Sequence, residues 1–149
     1  MPYAEHTSVS CERSRAEIEA LIVRYGAEQF GLMTSAKKTT IMFRCRNRAI
    51  RFDMPMPEPP ATVEKWGRER KLSDAQKDDY VSDENRRRWR ALLLVVKAKL
   101  EAVESGIATF EDEFLAYTVM VNGQTVGEWA KPQLDGAKKT PLLMLPEGN

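Results

Sequence analysis

The stretch from Asn85 to Gly106 constrains the fold of this chain more than any other part of its sequence. It begins with a run of arginines and a tryptophan, continues through the aliphatic run LLLVV, and ends in acids and a glycine. Its apolar residues recur at four-three spacing, which places them along one side of an α-helix. These residues are Trp89, Leu93, Val96, Leu100 and Val103. The stretch therefore predicts a long helix with one buried side and a basic beginning, which ends at the glycine.

Two capping patterns indicate where this helix and a second helix begin. Ser73-Asp74-Ala75-Gln76 matches a capping box, so the central helix either begins there and continues to residue 104 or breaks near Ser82. The same pattern at residues 14–17 precedes apolar residues at helical spacing, which stop at Gly26. We therefore predict a second helix over residues 14–25 and an irregular segment over residues 1–12.

An alternation of period two over residues 39–46 predicts a β-strand. A tight turn at residues 46–48 leads to a return strand, and residues 28–34 form a candidate third strand. We expect a β-hairpin or a three-stranded antiparallel meander. Its apolar face holds Ile41, Phe43, Cys45, Ile50 and Phe52. Its opposite face carries Arg44, Arg46 and Arg51.

A proline-rich segment, Met54–Pro60, ends this sheet, because proline lacks the N–H group that a strand or helix interior needs. We predict a linker loop over about residues 54–72, with Trp66 as a candidate anchor. Thr109 and Thr125 begin two shorter helices, and the apolar tail TPLLMLP is expected to dock on the core.

These elements together predict a single α+β domain over residues 1–149. In this domain a small antiparallel sheet packs on an N-terminal helix and on the long central helix. The length of the chain is that of one ordinary domain, and it is sufficient to bury a substantial core.

The charge of the chain is unevenly distributed, although its formal net charge is only +1. Residues 37–51 hold six basic side chains and no acid, and residues 86–99 hold another six and no acid. The part from Glu101 onward holds eight acids against three lysines. The small net charge disfavours a protein that coats any polyanion. The two basic blocks, residues 37–51 and 86–99, nevertheless predict a local basic face.

The sequence indicates no cofactor and no metal site. Two cysteines, Cys11 and Cys45, and the single histidine His6 are too few for a structural zinc site. Cys45 falls on the apolar face and is interpreted as a small buried hydrophobe, and His6 as a solvent-exposed residue. No secretory leader or membrane-spanning run is recognisable, so we expect a cytoplasmic protein with reduced thiols.

No phosphate-binding loop, nucleophile elbow or metalloprotease motif occurs, so no catalytic residue is assigned and an enzyme is disfavoured. The carboxylates at residues 78–84 and 111–113 could in principle hold Mg²⁺ for a nuclease. Acids at helix beginnings have a simpler explanation, which is their favourable interaction with the helix dipole.

The two basic blocks are therefore the candidate nucleic-acid interface, because arginine binds phosphate bidentately and aromatic rings stack on unpaired bases. The predicted contact residues are Lys37, Lys38, Arg44, Arg46, Arg48, Arg51, Arg86, Arg87 and Arg90. For the three helix arginines the alternative is simple solvation of the helix, or ion pairs with acids one or two turns earlier. Trp89 lies in the apolar stripe and is expected in the core.

Two stretches carry a family resemblance. The first is SRAEIEALIVRYGAEQF, followed by an IRF strand and MPMP, and the second is RWRALLLVVKAKLEAVESGIATFEDEFLAYTVMVNGQTVGEW, followed by PLLMLP. They resemble a family of small uncharacterised proteins of bacteriophages and prophage regions. The resemblance implies a compact α/β domain and a phage context, hence the host cell cytoplasm. It carries over no activity and no functional residue.

Two functions of different classes follow as hypotheses. The first is a non-enzymatic phage accessory protein that binds nucleic acid, with single strands favoured because no recognition helix of the helix-turn-helix type stands out. The second is a protein-binding module, such as an inhibitor of a host enzyme or defence protein, or a structural subunit that forms homo-oligomers. A metal-dependent nuclease ranks third. The expected partners are thus nucleic acid, a host or phage protein, or a second copy, and not a membrane.

Overall fold

The computed structural model describes the backbone of residues 2–135 and the side chains of residues 11–135. The element order is α1 (Pro2–Arg24), β1 (Gln29–Thr34), β2 (Lys38–Cys45), β3 (Arg48–Pro55), β4 (Thr62–Lys65), β5 (Arg68–Lys71), α2 (Asp74–Glu104), α3 (Phe110–Glu113), a 3₁₀ turn (Leu115–Tyr117) and α4 (Val126–Asp135). The predicted α+β class is confirmed. The apolar tail TPLLMLP and its expected docking lie outside the described residues.

The central helix is longer than its most regular stretch suggests. α2 runs without interruption from Asp74 to Glu104 and does not break near Ser82. The hydroxyl of Ser73 accepts from the Gln76 N–H, and the Gln76 side chain accepts from the Ser73 N–H, so both halves of the capping box are present. Since this reciprocal cap satisfies donors that a helix beginning leaves unpaired, the helix begins where the sequence predicts.

The N-terminal helix begins earlier than predicted. α1 starts at Pro2, so the expected irregular segment over residues 1–12 is wrong for residues 2–12. Proline suits a first helical turn, because its missing N–H would have no partner there and its φ is already helical. The predicted end is confirmed, with Gly26 at a φ of 99° just beyond the helix.

The predicted three-stranded meander is confirmed, with the strand order β1-β2-β3 and antiparallel pairing throughout. β2 and β3 are joined at Arg46-Asn47, whose φ angles of 49° and 62° are those of a two-residue turn that matches the twist of a hairpin. In the register, Ile41 lies opposite Phe52 and Phe43 opposite Ile50. The period-two pattern therefore produces one apolar face.

The predicted linker over residues 54–72 contains a hairpin that the sequence reasoning missed. β4 and β5 pair antiparallel around the turn Trp66-Gly67 and form a separate two-stranded sheet. The prolines of Met54–Pro60 separate this hairpin from β3, because they cannot continue the ladder. We call β4, the turn and β5, residues 62–71, the ribbon.

The core lies between the apolar face of the meander and the two long helices. α1 contributes Ile18 and Ile22, α2 contributes Trp89, Leu92, Val96 and Leu100, and the sheet contributes Ile41, Phe43, Cys45, Ile50 and Phe52. Phe110 and Phe114 close the core, and the Phe114 side chain is fully buried with its ring edge-on to Phe43 and Phe52. The expected core position of Trp89 is confirmed.

No helix among residues 2–135 combines the length and the apolar character that crossing a membrane requires.

Candidate nucleic-acid interface

The first basic block is divided between the two ends of the meander. Lys38 pairs with Pro55 at one end, and there Arg88 of α2 donates a hydrogen bond to the Pro55 carbonyl. Arg46 lies in the β2–β3 turn at the other end, and Arg48 begins β3 directly after it. Eight residues of β2 separate the ends by about 23 Å. The two predicted basic blocks therefore meet near Lys37 and Lys38 but not near the turn arginines.

Arg51 is held by contacts within the chain. Its Nη1 donates to the Gly123 carbonyl at 2.9 Å, and its Nη2 donates to Glu128 Oε1 at 2.6 Å. Its Nε lies 3.5 Å from Asp53 Oδ2, and its side chain is only 19% exposed. Arg51 thus connects β3 to the loop before α4 and to the first turn of that helix. These contacts occupy the guanidinium that the sequence prediction assigned to phosphate.

The three arginines near the β2–β3 turn differ in what they contact. The Arg46 guanidinium lies 5.3 Å from the centre of the Phe110 ring, so it packs at the rim of the core and not on the outer face with Arg44. Arg44 is exposed and Arg48 is half-buried. Within residues 11–135, neither Arg44 nor Arg48 makes an ion pair or a side-chain hydrogen bond, so both remain available to a ligand.

The arginines near the middle of α2 are mostly paired along the helix, as the alternative interpretation of the sequence proposed. Arg87 Nη1 lies 3.2 Å from Glu84 Oε1, and Arg86 Nη2 lies 3.9 Å from Asp83 Oδ1. Such exposed pairs contribute little to stability, but they lower the local positive potential. Arg86 and Arg90 also line a cleft of about 170 Å³ between α1 and α2. Arg13, which the sequence reasoning missed, lines it too, together with a carboxylate from Glu17.

The remaining lysines of the two blocks also separate into paired and unpaired groups. Lys38 lies 3.7 Å from Asp53. Lys99 donates to the Glu113 carbonyl at 3.0 Å, and its ammonium lies 5.1 Å from the centre of the Tyr117 ring. The exposed Lys37 has no such partner among the described side chains.

The ribbon is an exposed surface that combines basic and aromatic side chains. Every residue of both strands is exposed, and the Trp66 indole at the tip is 85% exposed. Trp66 has a φ of 53°, which is uncommon for a bulky residue, and Gly67 has a φ of 75°. Trp66 is the most exposed of the three tryptophans, since Trp129 is 51% exposed and Trp89 is buried.

The register of the ribbon separates its charges by face. Lys65 lies opposite Arg68 and Val63 lies opposite Arg70, so one face is basic and carries no acid. Glu64 lies opposite Glu69 on the other face, beside Thr62 and Lys71. Like charges directly opposite each other destabilise a hairpin. The observed register therefore places Lys65 opposite Arg68 and Glu64 opposite Glu69, whereas a one-residue change of register would place residues of opposite charge opposite each other.

The sequence contains a signal that could have revealed the ribbon. TVEK and RERK flank the dipeptide Trp-Gly, and glycine at the second position of a two-residue loop indicates a hairpin turn. The signal was weak because both strands are almost wholly polar, so no apolar alternation accompanies the turn. The prolines that precede it also favoured a loop.

The cysteines sit in apolar surroundings. Burial raises the pKa of the Cys45 thiol above its ordinary value, and its Sγ lies 3.7 Å from the Tyr25 carbonyl. Burial also raises the pKa of the half-buried Cys11, although Arg86 opposes the effect. A raised thiol pKa means less thiolate at neutral pH, so neither environment favours a nucleophile.

The carboxylates proposed for a metal site lie apart or have partners. Glu84 and Glu113 contact arginine or lysine side chains. Among the described residues, no group of three or more His, Cys, Asp or Glu side chains is arranged to hold a metal ion. The side chain of His6 lies outside the described side chains.

Comparisons with family models, with curated proteins and with solved structures found no match to this chain.

Proposed function

We propose that the protein binds single-stranded nucleic acid through the ribbon, as a non-enzymatic accessory protein of a phage. The observation that supports this most is that the ribbon combines the Trp66 indole, which is 85% exposed, with a basic face formed by Lys65, Arg68 and Arg70. A basic groove or ribbon that follows the phosphates, combined with an aromatic ring on which bases stack, is how many proteins hold single strands.

The charge arrangement of the ribbon suits a polyanion. Three cations on one face can each replace a counterion on the phosphate backbone, and the indole supplies a contact that does not depend on sequence. Glu64 and Glu69 point to the other face, where they repel phosphate and so orient the strand on the basic side. The repulsion between Lys65 and Arg68, which lie opposite each other, is offset when a phosphate lies between them.

A single strand fits better than a duplex. An indole stacks fully only on a base that is free of its neighbours, which a duplex does not offer without unstacking. Trp66 lies at the tip of a two-residue turn, and Lys65 lies 5.2 Å from its ring, so cation and ring can contact one nucleotide together.

The experiment is fluorescence anisotropy of a labelled oligothymidylate, titrated with the full chain at several salt concentrations. We expect binding that weakens steeply with salt, because affinity from phosphate contacts depends on counterion release. No binding at about 50 mM salt would overturn the proposal. Duplex DNA of equal length should bind more weakly.

Three matched variants locate the surface, since each removes three positive charges. The ribbon variant changes Lys65, Arg68 and Arg70 to glutamine. The meander variant changes Lys37, Arg44 and Arg48, and the helix variant changes Arg86, Arg87 and Arg90. The ribbon variant should lower the salt slope by about two to three. Equal losses in all three variants would indicate a non-specific effect of net charge and would contradict the ribbon assignment.

The alternative function, a protein-binding module, is favoured by two features of the ribbon. The second face of the ribbon carries Glu64 and Glu69, which a protein surface can pair with but a phosphate backbone cannot. The ribbon also exposes Trp66 together with Arg68 and Arg70, and tryptophan and arginine are enriched among the energetically dominant residues of protein interfaces. Capture of a specific protein that is lost on changing Glu64 and Glu69 to glutamine, together with no oligonucleotide binding, would support this alternative.

A further inference from the structure

One edge of the meander is open. β1 stands at the end of the strand order and pairs only with β2. The opposite edge is bordered, because Ile50 forms a bridge with Thr118 and the Val119 N–H donates to the Ala49 carbonyl at 2.8 Å. Within the part of the chain that the structure describes, the outer edge of β1 is where another strand can join this sheet.

The hydrogen-bonding groups that this edge offers can be identified. The Ser35 N–H donates to the Lys38 carbonyl at 2.9 Å. Every second residue of β1, counted back from Ser35, therefore forms its backbone hydrogen bonds with β2. Gly31 and Met33 therefore bond to β2. Phe30, Leu32 and Thr34 direct their backbone N–H and C=O groups away from the sheet.

β1 lacks the features that usually protect an edge strand. Gln29–Thr34 contains no charged residue and no proline. Its Met33 side chain is 62% exposed and Leu32 is 36% exposed. Charges occur only beyond the strand, with Glu28 before it and Lys37 after it. This edge therefore favours pairing with another strand.

We propose that β1 pairs antiparallel with β1 of a second copy, around a two-fold axis at Leu32, to form a continuous six-stranded sheet. A symmetric dimer uses the same surface on both copies, so this strand must complement itself. In this register Gly31 lies opposite the partner's Met33, whose exposed side chain covers the position where glycine has none. In the same register Phe30 lies opposite the partner's Thr34, so the residues whose backbone groups face outward meet outward-facing residues of the other copy.

The proposal is independent of nucleic-acid binding, and the test is the mass of the full chain in solution by sedimentation velocity at about 1 to 100 μM, a range in which weak dimers dissociate. We expect twice the 17.0 kDa of one chain at the higher concentrations. A chain that stays monomeric throughout overturns the proposal.

The Leu32→Lys variant places two lysines opposite each other at the two-fold axis and should be monomeric. Its control is Leu94→Lys, which changes a leucine that is 60% exposed on α2 and should leave the dimer intact. Circular dichroism establishes that both variants are folded. A folded Leu32→Lys variant that dimerises like the wild type contradicts the proposal.

Discussion

Arg51 Nη2 and Glu128 Oε1 lie 2.6 Å apart, and this ion pair joins β3 to the first turn of α4. The same guanidinium holds the carbonyl of Gly123 in the preceding turn. Arg51 therefore has a structural role: it fastens the turn at Gly123 and the first turn of α4 to β3. The residue illustrates why a basic side chain on a polar strand face is not by itself a ligand contact.

Replacing Arg51 by methionine should lower the free energy of unfolding by about 1 to 2 kcal/mol, because the Gly123 carbonyl and the Glu128 carboxylate lose their donors. Urea denaturation measures the change. The control is Arg44→Met on the same face, which should stay within about 0.5 kcal/mol because Arg44 has no such contacts among the described residues. Equal stability of the two variants would contradict the structural role of Arg51.

Replacing Trp66 by asparagine should weaken binding of an oligothymidylate by about 5-fold to 150-fold, since stacking contributes about 1 to 3 kcal/mol per base. Asparagine is chosen because Asn-Gly suits a two-residue hairpin turn, so the ribbon should remain folded. Anisotropy titration measures the loss. Trp129→Gln removes another exposed indole, from α4, and should leave the affinity unchanged. If both variants bind like the wild type, the indole at the ribbon tip is not a stacking platform.

Truncating Phe114 to alanine should cost about 3 to 5 kcal/mol, the range for deleting a buried aromatic side chain. Its ring is fully buried, 4.8 Å from the Phe110 ring centre and 6.1 Å from that of Phe43. The neighbouring Leu115 is 48% exposed, so Leu115→Ala should cost less than about 1 kcal/mol. Chemical denaturation distinguishes the two variants, and comparable costs would contradict the assignment of Phe114 to the core.

Cys45 should make stability fall as the pH rises through the alkaline range. Burial raises the pKa of its thiol above the ordinary value of 9.0, so the unfolded chain loses this proton at a lower pH than the folded protein does. The contribution to stability is complete below pH 9 and is lost as the pH rises from there towards the raised pKa, with a slope of at most about 1.4 kcal/mol per pH unit.

The measurement is the free energy of unfolding of the wild type and of Cys45→Ala between about pH 8 and 10.5, around the ordinary thiol pKa. The variant is expected to be less stable at neutral pH but to lose less stability across the interval. Cys45 should also react with a thiol reagent more slowly than the half-buried Cys11. Parallel pH profiles for the two proteins would show that the Cys45 thiol does not contribute.

Much of the fold could be predicted because its signals are local. The apolar side chains of Ile41 and Phe43 fall on one face since strand geometry repeats every two residues, whichever elements lie nearby. Ser73 begins α2 because its partner Gln76 is three residues away. The beginning of α1 and the polar ribbon were missed since neither carries an apolar pattern of the expected period.

The candidate site was less predictable, as the three tryptophans illustrate. Trp89 is 8% exposed, Trp129 is 51% exposed and Trp66 is 85% exposed. The helical spacing around Trp89 predicted its burial, whereas the local signal that Trp66 would lie at the tip of a ribbon was only the glycine after it, which no apolar alternation accompanied. Lys65 and Arg68 lie on the same face only because the β4–β5 register places them opposite each other.

The sequence alone determined which segments are helices and strands of the main sheet, which of their sides are apolar, and that basic residues are clustered. Those properties depend on backbone periodicity and on contacts a few residues apart. The tertiary structure decided which cations are free and which are held, because the partners of Arg51 lie 72 and 77 residues away. Contacts at such separations depend on how packed elements bring distant residues together, which no local pattern encodes.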